Sequence, residues 1–262
     1  MWLLAIPAGL LVGLSLGTLG AGGSILTVPI LVYLLGQDPH HATTLSLVVV
    51  GAAAVAGALA HYRAGRVHLG TGLVFGLLGA AGSYLGSRAS AAVDPHVLLL
   101  GFAALMAAAA VAMVVRQRHE STTPSRDTGG TTTLVKRKTA VRVVGAASIV
   151  GLLTGFFGVG GGFVVVPALV LVLGLDTATA VGTSLVVIAV NSGLALATRL
   201  TAQPMAMDWL LLAVFGVAAI LGVLAGNKIG GRLDQRRLTL AFAGLLVLVA
   251  GYTAVTSLPH LL

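Results

Sequence analysis

The sequence predicts an all-α polytopic membrane protein made of two inverted-topology repeats, each a glycine-tipped re-entrant or broken helix plus three transmembrane helices. Three observations predict it: an apolar composition, apolar runs of membrane-spanning length, and a glycine pattern that occurs twice. Hydrophobic residues are 57% of the 262 and charged residues only 8%, too few to cover a water-facing surface, so lipid is the solvent. Crossing about 30 Å of hydrocarbon takes roughly 20 apolar residues in a helix, and such runs recur along the chain. A β-barrel is excluded because stretches such as 97–115 are continuously apolar rather than alternating.

The repeat is read residue by residue. Gly13, Gly17, Gly20, Gly22 and Gly23 recur 138 positions later as Gly151, Gly155, Gly158, Gly160 and Gly161. Pro29, Gly36, Asp38, Ser46 and Leu47 match Pro167, Gly174, Asp176, Ser184 and Leu185 at the same offset. After a two-residue insertion, Gly82, Gly86, Asp94, Leu98 and Phe102 fall 140 positions before Gly222, Gly226, Asp234, Leu238 and Phe242. Each half therefore holds a glycine-interrupted segment (3–35 and 141–174) followed by helices over 41–60, 69–90 and 96–115, or 178–198, 208–229 and 237–256. The first repeat covers 1–118 and the second 139–262, in one integral membrane domain. Between them, 119–138 is rich in Ser, Thr, Gly and charge and reads as a solvated linker.

Charge placement sets the expected topology. With the linker in the cytoplasm, a glycine segment that re-enters puts 13 Lys and Arg inside and 2 outside; one that spans gives 10 and 5. The re-entrant reading is therefore expected, with three crossings per half, repeats of opposite orientation and both termini outside. In that arrangement the two glycine tips meet near the midplane of a plasma (inner) membrane. The N-terminal Met1, Trp2, Leu3 and Leu4 lack a basic region and read as retained structure, not a cleaved signal. The formal charge of +8 sits at membrane edges, so topology and not nucleic acid accounts for it.

Non-helical backbone at membrane depth must line a cavity or lie within protein. The expected substrate-binding residues are thus Gly20, Gly22, Gly23 and Ser24 in one tip, with Gly158, Gly160, Gly161 and Gly162 in the other. Short helices over 24–35 and 162–173 would point their N-terminal amides back at these tips, a favourable setting for an anion. Thr44, Ser46, Thr183 and Ser184, at the starts of the following helices, supply hydroxyls for a ligand or for a backbone carbonyl one turn back. Asn191 is an amide deep in an apolar helix, suited to a cavity or to gluing helices together. His40 and His41 read as interfacial anchors, and His61 and His68 as loop residues; no metal site and no cofactor are expected. No Lys, Arg, Asp or Glu falls in mid-span, which argues against a buried proton relay.

With its duplicated glycine segments, Pro29 and Pro167, and the run 180–184 ending at Ser184, the chain resembles the sulfite exporter TauE/SafE family of membrane permeases over nearly its whole length. The resemblance implies a plasma-membrane transporter, not an enzyme, whose cargo is a small sulfur-containing anion such as sulfite or an organosulfonate. Alternatives are a permease for thiosulfate or a carboxylate, or a non-transporting membrane assembly subunit. A coupling proton or sodium ion and a homodimer stay open. An intramembrane serine hydrolase using Ser24 is disfavoured, because every histidine is expected near a membrane edge, out of reach of that hydroxyl.

Overall fold

The chain is all helical in the computed structural model, which describes residues 2–20, 22–90, 95–120, 132–157, 162–200, 208–232 and 234–257. Among the described residues ten α-helices follow one another: α1 (Trp2–Leu19), α2 (Gly22–Pro29), α3 (Pro39–Arg63), α4 (Leu69–Ser90), α5 (Pro95–Glu120), α6 (Thr132–Phe157), α7 (Gly162–Leu171), α8 (Thr177–Leu200), α9 (Trp209–Gly230) and α10 (Gln235–Ser257). A π-helical turn, Ile30–Leu34, prolongs α2 beyond Pro29. Among the described residues, four stretches are long and apolar enough to cross a membrane: His41–Arg63, Leu69–Gly86, Thr177–Ala197 and Trp209–Gly230. Helix α6 starts nine residues before the expected 141, because Lys136, Arg137 and Lys138 are good helix formers that carry it past the apolar run.

The turns that close the two short helices are built alike. Gly36 and Gly174 take positive φ of 64° and 73°, a conformation that glycine adopts without steric cost. The next N–H in each case bonds back six residues, Gln37 to the Leu31 carbonyl at 3.0 Å and Leu175 to Leu169 at 3.2 Å. The following helices then begin with matching bonds, Ala42 N–H to the Asp38 carbonyl and Ala180 N–H to that of Asp176.

Two glycine seams hold the bundle. A Cβ at Gly222 would lie 3.0 Å from the Gly13 Cα, and one at Gly226 would lie 3.2 Å from the Gly17 Cα, so α1 and α9 run parallel with their backbones in contact. Helices α4 and α6 do the same: a Cβ at Gly82 would lie 3.1 Å from the Gly151 carbonyl carbon, and one at Gly86 only 2.7 Å from the Phe156 nitrogen. Such approach is available only where both surfaces lack side chains. Helices α3 and α8 cross antiparallel, with Gly51 against Ser192, Gly57 against Leu185 and His61 against Gly182.

These contacts fix directions. The turn after α3 and the turn after α9 are neighbours, because the Arg66 guanidinium lies 2.8 Å from a Cβ at Gly231. Helices α1, α3 and α9 therefore all run toward this basic end, which also carries exposed Arg63, Lys228, Arg232, Arg236 and Arg237. Between α1 and α3 the chain folds back, with Gly23 packed on Val12 and Leu16 of α1.

The structure corrects two expectations. The first glycine tip is not at the midplane: Gly20 packs on Val181 and Ser184, about 6 to 11 Å along α8 from its start at Thr177. Helix α6 meanwhile reaches Gly86, near the opposite end of the bundle. The cause is that α1 is zipped along α9 as far as Thr18, which meets Gly230 at the last residue of α9, so the first reversal falls near an end of the bundle and not halfway. His61, expected in a loop, lies within α3 and is 3% exposed, since α3 continues to Arg63 and Gly182 leaves room for the ring.

Buried apolar side chains form two clusters. One gathers Leu16, Ala53, Leu185, Phe215 and Val223, the other Phe75, Met106, Val166, Leu169 and Phe242. Leu77, Leu85, Ile149, Leu221 and Leu248 point outward, as a lipid-facing surface requires. Replacing Gly13 or Gly82 by Leu should therefore lower the stability of detergent-purified protein by about 2 kcal/mol or more, because backbone blocks the new side chain. Gly244, with nothing within 4 Å of its Cβ position, is the control. Gly244→Ala should be neutral or gain up to about 1 kcal/mol, and thermal unfolding followed side by side decides between the two outcomes.

Candidate functional site

A cavity of about 370 Å³ opens between α3, α4, α6 and α8, lined by Leu47, Ala80, Ser83, Thr154, Asn191, Ser192, Leu194 and Ala195. It lies in the half of the bundle away from the basic turns: Leu47 is eight residues into α3, and Thr154 is three residues before the end of α6. Glycine makes the space. The α4 and α6 backbones touch at Gly79, Gly82 and Gly151, so the neighbouring Ser83 and Thr154 are carried close to α8.

The polar groups here are not consumed by the fold. The Thr154 hydroxyl, on a side chain 7% exposed, and the Asn191 carboxamide oxygen are buried without a hydrogen-bond partner. Buried polar groups are nearly always paired, so two orphans on residues that line one cavity leave hydrogen-bonding capacity that a rotation of either side chain would bring to it. Hydroxyls and a carboxamide both donate and accept, and a half-turn of Asn191 presents its N–H₂ in place of its oxygen. No formally charged side chain lines the cavity. It therefore suits a small solute with several acceptor atoms, held by neutral donors.

The residues expected from sequence fall in different places. Asn191 lines the cavity. Gly20 meets Ser184, whose hydroxyl donates to the Val181 carbonyl at 2.8 Å. Ser46 similarly donates to the Thr43 carbonyl at 2.8 Å. The Thr183 hydroxyl accepts the His68 backbone N–H at 3.1 Å, tying the turn after α3 to α8. Thr44 is buried, Ser24 is half-buried near the start of α2, and Gly23 is spent on packing against α1. Gly22 and Gly162 open α2 and α7, while Gly158, Gly160 and Gly161 lie outside the described residues. Sequence reasoning missed Ser83, Thr154 and Ser192. Their signal was a small polar residue beside a seam glycine, or adjacent to Asn191, on an otherwise apolar helix.

Comparison with known proteins agrees with a solute-handling bundle. The family model described as "Sulfite exporter TauE/SafE" matches residues 5–253. A protein of Xylella fastidiosa strain 9a5c, described as "Probable membrane transporter protein", is 35% identical over 95% of this chain and 94% of its own length. Two Bacillus subtilis strain 168 proteins, described as "Probable membrane transporter protein YdhB" and "Probable membrane transporter protein YunE", are 28% and 25% identical. Each match covers 91% of this chain, with 96% and 90% of the respective relative. No solved structure matches the chain significantly. With apolar spans, a cavity that carries polar side chains in a largely apolar wall and a match over nearly its whole length, this multi-pass membrane protein belongs to the sulfite exporter TauE/SafE family, whose members are transporters and not enzymes.

Proposed function

We propose that the chain is a secondary transporter of small sulfur-containing anions such as sulfite or an organosulfonate, acting by alternating access about the cavity between α3, α4, α6 and α8. The observation that carries this reading is the pair of unpartnered polar atoms, Thr154 Oγ1 and Asn191 Oδ1, at one interior cavity. A sulfonate or sulfite group has only acceptor oxygens when ionised, and Ser83, Thr154, Ser192 and a turned Asn191 offer donors to it. The volume falls in the range of small-molecule sites, with room for a few carbon atoms beyond the sulfur group. The site moves accordingly from the glycine tips to this cavity, with Asn191 common to both readings.

The repeat supports the alternating-access step. Leu47, Ser83 and Ala195 of the cavity correspond, at the offsets of 138 and 140, to Leu185, Val223 and Gly57. Those three pack on each other: a Cβ at Gly57 would lie 2.7 Å from Val223 Cγ1 and 2.9 Å from Leu185 Cδ1. Thr154 and Asn191 correspond to Leu16 and Ala53, both fully buried beside them. Where one half holds a polar cavity, its counterpart holds an apolar plug. In our reading, inverted repeats that exchange conformations close the cavity and part the plug, passing the anion toward the basic end. That end is cytoplasmic by the excess of Lys and Arg, which also raises the local anion concentration.

In proteoliposomes the purified protein should carry labelled sulfite or methanesulfonate, and an absence of flux of both would favour a non-transporting subunit. Thr154→Val and Asn191→Leu should each cut that flux about tenfold or more, the loss expected for one hydrogen bond to a charged group. Thermal stability of both variants should stay within about 1 kcal/mol, because each removed atom had no partner to lose. Unchanged flux in both would remove the cavity from the pathway.

A second measurement tests movement. The natural chain has no cysteine, and a Cβ at Gly51 would lie 3.1 Å from Ser192 Cβ, so Gly51→Cys with Ser192→Cys should oxidise to a disulfide. The bridge should arrest flux, and reduction should restore it. A fully bridged protein that still transports would mean that α3 and α8 do not part during the cycle.

A further inference from the structure

Among the described residues, His61 is the only fully buried titratable side chain. It is 3% exposed, and neither ring nitrogen makes a hydrogen bond of good geometry, although the Gly17 backbone lies close to the ring. On α8 it lies against Gly182, whose Cβ position is 3.0 Å from His61 Cβ. Its position along α3 is the telling fact. Leu47, Ala54, Gly57 and His61 follow one another at helical spacing on one face. Leu47 lines the cavity, Ala54 and Gly57 belong to the apolar plug, and His61 lies beyond the plug toward the basic end. The first glycine reversal closes the other side of this place: the Gly17 backbone approaches the ring, and Gly20 abuts Val181 and Ser184.

We propose that His61 is a second, proton-dependent anion station on the transport path, occupied after the plug parts and before the anion leaves at the basic end. The proposal rests on the transport reading above and names its coupling ion. As the plug parts, His61 takes one proton from the water that enters with the anion from the cavity side, and the resulting imidazolium pairs with the arriving anion through an N–H bond. Loss of that proton to water at the basic end leaves a neutral ring, and the anion departs with it. One proton moves per anion, so transport of a monovalent anion is electroneutral.

The charged and titratable groups around it are of a kind that this scheme needs. The turn after α3 brings Arg66 and His68, the same helix brings Arg63, α9 ends in Lys228 followed by Arg232, and Asp176 precedes α8. Helix α1 contributes none. Fixed cations thus line the way out and draw the anion on, while His61 is the titratable group that lies buried behind them. At the matching position of the second half the sequence has Arg199, whose charge cannot be switched off.

The test is flux into proteoliposomes at pH 6 and pH 8, using whichever of sulfite and methanesulfonate the natural protein carries, with His61→Gln and His61→Asn run in parallel. Ionisation of sulfite itself affects all three proteins equally and cancels when their pH 6 to pH 8 flux ratios are compared. The natural protein's ratio should differ from that of the variants by about tenfold, because neither amide titrates in this range. One correctly inserted variant suffices. Ratios that agree within about twofold overturn the His61 station and leave the transport reading standing. Absence of flux in the natural protein overturns that reading and the station together.

Discussion

In hydrocarbon, helices gain little by leaving solvent for one another, so their association has to come from close packing of atoms. The seams of α1 with α9 and of α4 with α6 are where this bundle obtains it, with Gly13 on Gly222 and Gly82 on Gly151. Each seam joins a helix of one half of the sequence to a helix of the other, so neither half encloses its own core. Leu16 of the first half shares a cluster with Phe215 and Val223 of the second. The cavity is a by-product of the same constraint: where two backbones touch, the side chains next to the contact are pushed toward the third helix, and Ser83 and Thr154 are such side chains.

Much of this was legible in the sequence because the residues concerned have one physical use. A Gly at 36 and again at 174, each just before an acidic residue and a helix, announces a reversal, and both adopt positive φ. The spacing of Gly82, Gly86, Gly222 and Gly226 announced close helix contacts without saying with what. Partners are a tertiary matter, and the extent of α1 depended on its partner: once it lies along α9 it runs on almost to the basic end, and its tip goes with it. His61 was misplaced for a related reason. Its neighbours Tyr62, Arg63 and Arg66 read as a membrane edge, and only the absence of a side chain at Gly182 lets the helix end bury one ring. Hydroxyls were harder still, because Ser184 bonding to its own helix and Thr154 bonding to nothing look the same in one dimension.

A carrier for anions might be expected to place a fixed cation at its central site. This cavity has none, and the cations stand at the other end of the bundle. A full ion pair in a low-dielectric interior holds its ligand tightly, which slows release, and costs a large desolvation when the ligand is absent. In the proposed reading, neutral hydroxyls and an amide avoid both difficulties, binding strongly enough to select oxygen acceptors and weakly enough to let go. That reading separates selection from attraction: the cavity would choose by hydrogen bonds, and the basic end would supply the field.

The chemical difference between the cavity and its counterpart has a consequence for the order of events in a cycle. In a duplicated carrier with identical halves, the two empty conformers would be equal in free energy, and the protein would face either side equally often. In the proposed exchange, one conformer sets Ser83, Thr154 and Asn191 around its cavity, where entering water finds polar partners. The other would set Val223, Leu16 and Ala53 there, where it finds none. A difference of even 1.4 kcal/mol is a tenfold bias, so the idle protein waits on its polar side. Cargo does not by itself supply a direction, which comes from the gradients across the membrane, but the unloaded return becomes the uneven step. Under the proposed exchange of conformations, the divergence of the two halves gives the carrier a resting position.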